Sequence, residues 1–304
     1  MTYDVIVIGG SFAGLSAAMQ LARARRHVCV VDAGQPRNRF AAASHGFFGQ
    51  DGEPPLVMIE QARTRLLAYP TVSFLQGTAV SARAQDEPAR RFDVALQDGT
   101  ALAARKLVLA FGVQDHLPDI AGLRERWGAS VLHCPYCHGY EFAGQQLGML
   151  YHAPGSAMHA QLIADWGPTT LFLNGNTTLD EAERARLLSL GIAIEPTRIA
   201  ALEGTGLALE GVRLAGSAGR VVPLDALYVA AATRSASPLA EQLGCAFDDG
   251  PMGPAIRTDA NKLTTVPGVY AAGDATLMRH NATLASAEGV LAGVGAHQAL
   301  VFDT

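Results

Sequence analysis

The sequence predicts an α/β chain built from two Rossmann-like dinucleotide-binding domains, the second inserted in the first. Three observations predict it. A strand–glycine turn–helix–strand unit opens near residue 4 and a second opens near residue 147. Two segments rich in proline, glycine, serine or polar turn residues, 115–122 and 233–238, read as crossings between domains. An apolar run ending in Gly273-Asp274 then reads as a strand that returns to the first domain. The expected outer domain is 1–115 plus 238–304, and the expected insert is 116–237.

The first unit is "DVIVIGGSFAGLSAAMQLARARRHVCVVDAG". Val5–Ile8 is short and β-rich, as a strand buried on both faces should be. Phe12 to about Arg26 has helical spacing, with Leu15, Ala18, Met19 and Ala22 on one side. Val28–Val31 is the next strand and ends at Asp32. Between strand and helix stand Gly9, Gly10 and Gly14, with Ser11 where the second glycine of a G-x-G-x-x-G turn is expected. Such glycines permit the tight turn, the approach of pyrophosphate and the packing of helix on strand. The helix then aims free N–H groups at the phosphates, and an acid at the position of Asp32 can take the ribose hydroxyls.

"SARAQDEPARRFDVALQDGTALAARK" reads as a small β-meander with a turn at Asp98-Gly99. "KLVLAFGV" (106–113) is a strand ending in a glycine turn. The second unit places strands at Leu147–Tyr151 and Thr170–Leu173. Its turn is "HAPGSA", with His152, Ala153 and Pro154 in the glycine positions and only Gly155 kept. No basic residue follows the second strand before Arg184, whereas a 2′-phosphate calls for arginine there. The insert is expected to keep the fold and to bind NADPH poorly; a divergent working site is the alternative. Near the C-terminus, Val269–Ala272 is a strand, and an acid directly after it can hold ribityl hydroxyls. The segment "ATLASAEGVLAGVGAHQAL" is helical in pattern.

Composition narrows the function. The chain has 304 residues, 49% of them hydrophobic, and a formal charge of -5 with no lysine or arginine block. That is a large globular core, without the basic face that nucleic acid requires. The N-terminal apolar run is short and carries Asp4, and no stretch reaches the roughly 18–20 apolar residues of a spanning helix. Neither membrane insertion nor export is expected, and the cytoplasm is the expected compartment.

The four cysteines are Cys29, Cys134, Cys137 and Cys245, too few for a disulfide scaffold. Cys29 lies in an apolar run and is expected to pack as a small hydrophobe. "LHCPYCHGYE" (132–141) groups His133, Cys134, Cys137 and His138. The pattern alone suits a metal clip, a haem tether or a redox disulfide. A haem tether would require export. A zinc clip needs four ligands arranged around one ion, and so short a segment would struggle to wrap it. A redox pair is favoured. Its thiolate is the reactive form, and a neighbouring histidine can move a proton near pH 7.

The pieces near residues 9, 112 and 273 resemble the flavin-binding elements of two-dinucleotide-binding-domain flavoproteins, with Phe111 replacing the threonine of the usual A-T-G middle piece. With "VDAGQPRN", "SHGFFGQDG", "LPDIAGLRERWG" and "HCPYCHGYE", nearly the whole chain resembles the low-molecular-weight thioredoxin reductase family. It is nearest a branch, carrying C-P-x-C-H-G-Y/F-E, that includes gliotoxin- and holomycin-type dithiol oxidases. The resemblance implies FAD, a homodimer, and a substrate that is a small-molecule dithiol or a thioredoxin-like protein disulfide. It implies that Cys137 faces the flavin, Cys134 exchanges with substrate sulfur, and His138 is acid and base with His133 assisting. The implied flavin-binding set is Gly9, Ser11, Ala13, Gly14, Asp32, Asn38, His45, Val80, Ala110, Gly112, Gly273, Asp274 and Thr283. The implied activity is a FAD-dependent dithiol/disulfide oxidoreductase passing electrons to oxygen or another non-nicotinamide acceptor. The alternatives are an NAD(P)H-dependent thioredoxin-disulfide reductase and a flavin-containing redox sensor without turnover. His45, Phe47 and Phe48 are candidates for lining a channel.

Overall fold

Two sheets organise the chain: a mixed one, in which a three-stranded meander runs antiparallel, and a second that is parallel throughout. The computed structural model describes residues 2–86, 91–152, 155–216 and 219–302. The first unit is β1 (Thr2–Ile8), α1 (Phe12–Arg23) and β2 (Val28–Asp32). A 3-10 turn (Arg37–Phe40), α2 (Pro55–Leu67) and β3 (Val72–Gln76) follow. Then β4 (Ala79–Ala84), β5 (Phe92–Leu96) and β6 (Ala101–Leu109) form the expected meander, with Gly99 at a φ of 88° in the turn. Residues 87–90, between β4 and β5 in the chain, lie outside the described residues.

The chain crosses to a second sheet on β7 (Val113–His116). There it forms β8 (Val131–Leu132), α3 (Pro135–His138), β9 (Leu147–Leu150), α4 (Ser156–Ile163), β10 (Thr169–Phe172), α5 (Glu181–Ser189) and β11 (Ala193–Glu195). A second meander, β12 (Ile199–Glu203), β13 (Gly211–Leu214) and β14 (Val221–Pro223), precedes β15 (Ala226–Val229). The return crossing is β16 (Ala232–Ser235), which pairs antiparallel with β7, so the two crossings form one ribbon. After it come α6 (Leu239–Gln242), a hairpin of β17 (Phe247–Asp248) and β18 (Ala255–Ile256), β19 (Val269–Ala271) and α7 (Ala282–Phe302).

The first sheet runs β3-β2-β1-β6-β5-β4, with β19 also parallel to β6. The second runs β11-β10-β9-β15-β8, all parallel. Val5, Ile6, Val7, Val28, Val30, Leu107 and Val108 are fully buried. Runs without polar alternation are therefore the rule here, as in any parallel sheet covered on both faces. Full burial of each such side chain is worth about 1.5–3 kcal/mol.

Helices α1 and α7 pack on the same face through small residues. A Cβ on Gly289 would stand 2.1 Å from the Ala13 carbonyl oxygen, and one on Gly293 would stand 2.5 Å from that of Ala17. The helix-long run of alanine and glycine in α7 is thus a contact surface, not a weak helix.

Several expected boundaries move. Helix α1 stops at Arg23, a turn earlier than the spacing suggests. Arg25 adopts a φ of 60°, and the amides of Arg25 and Arg26 turn back to the carbonyls of Ala22 and Leu21. A non-glycine residue in that conformation leaves no sequence signal. Cys29 is fully buried, and desolvation pushes its thiol up to about 11 although a Tyr3 hydrogen bond opposes the rise.

Gly289→Val should destabilise the chain by about 3 kcal/mol or more, because the new side chain overlaps a backbone oxygen. A thermal melt checks this; a wild-type midpoint would contradict the packing described.

Candidate active site

Strands β1, β6 and β19 end together. Ile8 pairs with both Val31 and Leu109, and Ala271 also pairs with Leu109. The chain leaves β1 toward β2 on one side, while β6 lies on the other. That switch point is where open α/β sheets bind ligands. Gly9 takes a φ of 109°, and a Cβ there would stand 2.3 Å from the Ala110 carbonyl oxygen. A Cβ on Gly14 would stand 1.8 Å from the Gly9 oxygen. Ala13 faces Gly273, whose added Cβ would lie 2.9 Å from its own. The structure thus brings Gly9, Ser11, Ala13, Gly14, Ala110, Gly273 and Asp274 to one place.

This cradle fits a dinucleotide. Ser11 caps α1 in an extended conformation but makes no side-chain bond to it, and the first turn carries no acid. Its first amides are thus left without a side-chain cap, free for an anion such as pyrophosphate. The Asp32 carboxylate, at the end of β2, accepts from Gly10 N at 3.0 Å and is held beside the turn. Gly112 turns with a φ of 70°, and Phe111 beside it packs into the core.

The remaining predicted residues spread outward. Asn38 lies in the 3-10 turn, half-buried. Val80 stands on β4 at the sheet edge, and its carbonyl accepts from Gln242 Nε2 at 3.1 Å. The sheet order puts β6 and β5 between it and the glycine turn. Thr283 is exposed in the first turn of α7, where its amide donates to Asn281 Oδ1 at 2.8 Å. Asn281 caps that helix.

Asp274 is not alone. Arg37 donates through Nη1 to Asp274 Oδ2 at 3.2 Å and grips Asp115 with Nε, at 2.9 Å, and Nη2. Burial alone would lower the Arg37 pKa, but the two carboxylates outweigh it and raise it. The turn before Asp274 is clamped from below. Glu288, buried on α7, accepts from Gly273 N at 3.0 Å and from the Thr276 hydroxyl, and pairs with Lys262. Neither Arg37 nor Glu288 was singled out in the sequence. Glu288 did carry a signal: it is a lone acid in an apolar helical run, and a charge so placed needs a partner.

Cys134 and Cys137 are joined as a disulfide, with Cα atoms 5.3 Å apart. Cys134 is the N-cap of α3, and Pro135 takes the first helical position, where its missing N–H costs nothing. The motif rests on Trp166, against which the Tyr136 ring stands edge-on at 5.6 Å. His138 is half-buried; desolvation lowers its pKa, Glu141 raises it, and His45 lowers it again. His45 stands edge-on to His138, with centroids 6.4 Å apart. His133 stacks on His280, from the segment before α7, at 6.1 Å. His280 was not predicted; its Nδ1 is buried without a partner among the described residues. Burial, then Arg37, pushes the His133 pKa down to about 3. Asp115 opposes the shift without reversing it. Among the described residues, no group of three or more histidines, cysteines or acids could hold a metal ion.

The second switch point, between β9 and β15, is less complete. Ala153 and Pro154 of the expected degenerate turn lie outside the described residues. Gly155, with a φ of 89°, caps α4. After β10, Arg198 lies across Gly175, where an added Cβ would stand 2.7 Å from its Cγ. The sequence placed no cation there, because Arg198 arrives from the loop after β11.

The chain is similar to known proteins over its whole length. A model for pyridine nucleotide-disulphide oxidoreductases matches residues 3–149. The thioredoxin reductase tcpT of Claviceps purpurea is 33% identical over 99% of the chain and 95% of its own length. An oxidoreductase from Agrobacterium tumefaciens is 43% identical over the whole of both chains, with a TM-score of 0.93. HlmI is 36% identical, covering 99% of this chain and 93% of its own, with a TM-score of 0.92. The fold and site define a disulfide/dithiol oxidoreductase with two Rossmann-type sheets. The chain belongs to the low-molecular-weight thioredoxin reductase-like family. Among the described residues, no helix is long and apolar enough to cross a membrane.

Two measurements check the site. The folded pKa of His133 lies below its ordinary 6.5, so the unfolded chain binds the extra proton first. Stability should be intact above pH 6.5 and decline as pH falls from there toward 3. Denaturant midpoints across that range should flatten in His133→Gln; an unchanged slope would refute the assignment. Glu288→Ala should cost about 3–5 kcal/mol by leaving Lys262 buried without its partner. A loss below about 1 kcal/mol in a denaturant melt would show the clamp to be idle.

Proposed function

We propose that the chain is a FAD-dependent dithiol oxidase that closes a disulfide in a small-molecule dithiol. The observation that carries this reading is the Cys134–Cys137 disulfide, flanked by His133 and His138, in a segment whose His133 stacks on His280 just before α7. A substrate thiolate attacks Cys134, and Cys137 leaves as a thiolate. Burial keeps His138 neutral near pH 7, ready to accept the substrate proton. FAD, once bound, would accept the electron pair from Cys137 and let it pass to oxygen. The residues offered for it are Gly9, Ser11, Ala13, Gly14, Asp32, Asn38, His45, Val80, Ala110, Gly112, Gly273, Asp274 and Thr283. The reading includes an outer flavin domain of 1–115 plus 238–304, an insert of 116–237, a homodimer and a cytoplasmic setting.

Arg198 beside Gly175 favours a second reading, an NAD(P)H-dependent reductase acting on a thioredoxin-like protein disulfide. An arginine near the end of the second strand is what a 2′-phosphate would meet.

Anaerobic mixing of the FAD-loaded protein separates the two. Bleaching by a dithiol, with peroxide formed on admitting air, is expected; rapid bleaching by NADPH would favour the reductase instead. Cys137→Ser should abolish dithiol-driven bleaching with FAD retained, and wild-type bleaching would overturn the role given to Cys137. Asp274→Ala should weaken FAD retention, read by gel filtration and absorbance.

A further inference from the structure

Loop 44–53 reaches the cysteine motif from the outer sheet. Its base is closed by Ser44 N on the Glu53 oxygen and Gly52 N on the Ser44 oxygen, both at 2.8 Å. Inside it, Gly46 N donates to Asp51 Oδ1 at 2.7 Å. The loop so held presents His45 to three partners. Its Nε2 lies 3.4 Å from Glu141 Oε1, its Nδ1 lies 3.7 Å from Asp51 Oδ1, and its ring meets the edge of His138. Exposure rises along this series. The side chain of His45 is 25% exposed, that of Glu141 39% and that of Asp51 71%. The series therefore leads from the half-buried motif to solvent.

We infer that His45 is the outlet of a proton relay that connects the cysteine pair, through His138, to Glu141 and Asp51. The inference rests on the thiol–disulfide chemistry proposed above, and proton counting requires an outlet of this kind. In the first step a substrate thiol gives its proton to His138, its sulfur bonds to Cys134, the Cys134–Cys137 bond breaks, and Cys137 leaves as a thiolate. In the second step the other substrate thiol loses its proton and attacks the mixed disulfide. The substrate disulfide forms and Cys134 leaves as a thiolate. Two protons have left the substrate, and two electrons remain on the cysteine pair.

An imidazole takes up only one proton, so His138 must discharge between the steps. Desolvation already disfavours its charged form. Glu141, whose charge also acts on His138, lies beside His45 Nε2, and Asp51 lies beside Nδ1, so His45 can take a proton from the Glu141 side and release one on the other. It acts through His138 and not on the sulfurs. This gives it work in addition to the cofactor contact expected from the resemblance.

The test uses the full-length oxidised chain with dithiothreitol as the probe. The rate at which the cysteine pair opens is read anaerobically by acid quench, alkylation and mass. Wild-type exchange should be independent of added imidazole. His45→Ala should be about tenfold slower, a part of the roughly 10²–10⁴ that general acid–base groups supply, and should recover as imidazole rises. His45→Gln, which keeps a hydrogen-bonding side chain but cannot take up and release a proton, should be equally slow. Wild-type rates in His45→Gln, or a slow His45→Ala that imidazole does not restore, would overturn the relay and leave the proposed function standing. A wild-type pair that does not open with dithiothreitol would overturn both.

Discussion

The guanidinium of Arg37 is shared by two carboxylates that lie far apart in the chain, and the architecture of the site depends on that sharing. Asp115 belongs to the outgoing crossing strand, Asp274 to the turn after the last strand of the outer sheet, and Arg37 to the 3-10 turn after β2. All three side chains are largely withdrawn from water. Ions so placed are stable only as a satisfied group, since removing one partner strands the others in a medium that solvates them poorly. The fork shape of arginine lets one residue serve both acids, which lysine could not do with the same geometry. The result is a common anchor for the glycine turns, the crossing ribbon and the inserted sheet.

A second constraint is steric. The site at the ends of β1, β6 and β19 exists because backbones approach closely there, and close approach needs small residues on both partners. Gly9 and Gly14 meet that need within the first turn, and Gly289 and Gly293 meet it between helices α1 and α7. Glu288 shares the stretch of α7 that carries those two glycines and bonds the Gly273 amide. The helix that closes the core therefore also sets the shape of the turn carrying Asp274. Stability and site geometry are coupled through the same few residues, as expected where a binding crevice is made of backbone.

Much of this was legible in the sequence where the signal is local. The first βαβ unit, the meander turn at Asp98-Gly99, the Gly273-Asp274 turn and the cysteine motif each announce themselves within about thirty residues, through periodicity or glycine placement. What was not legible depends on residues brought together from a distance. Arg37 reads as an ordinary surface arginine until Asp115 and Asp274 are folded around it. His280 and Trp166 gain meaning only from the motif they touch. Arg198 sits beyond β11, outside any window drawn after β10, yet it lies against Gly175. The early end of α1 escaped notice because Arg25 turns the chain without a glycine. His45 was legible as a candidate, while its contacts with Glu141 and Asp51, which come from other parts of the chain or the far side of its own loop, were not.

The pairing of β7 with β16 has a mechanical corollary. A lobe joined to its base by two separate strings can slide, tilt and drift. Joined by one twisted two-stranded strap, it can chiefly swivel. The strap is four residue pairs long, and it begins one residue after Gly112, whose oxygen also receives the amide of Ala236. The pivot thus stands directly beside the glycine turns at the ends of β1, β6 and β19. Turning about such a strap would carry the sulfur pair along an arc of constant radius without lengthening either crossing.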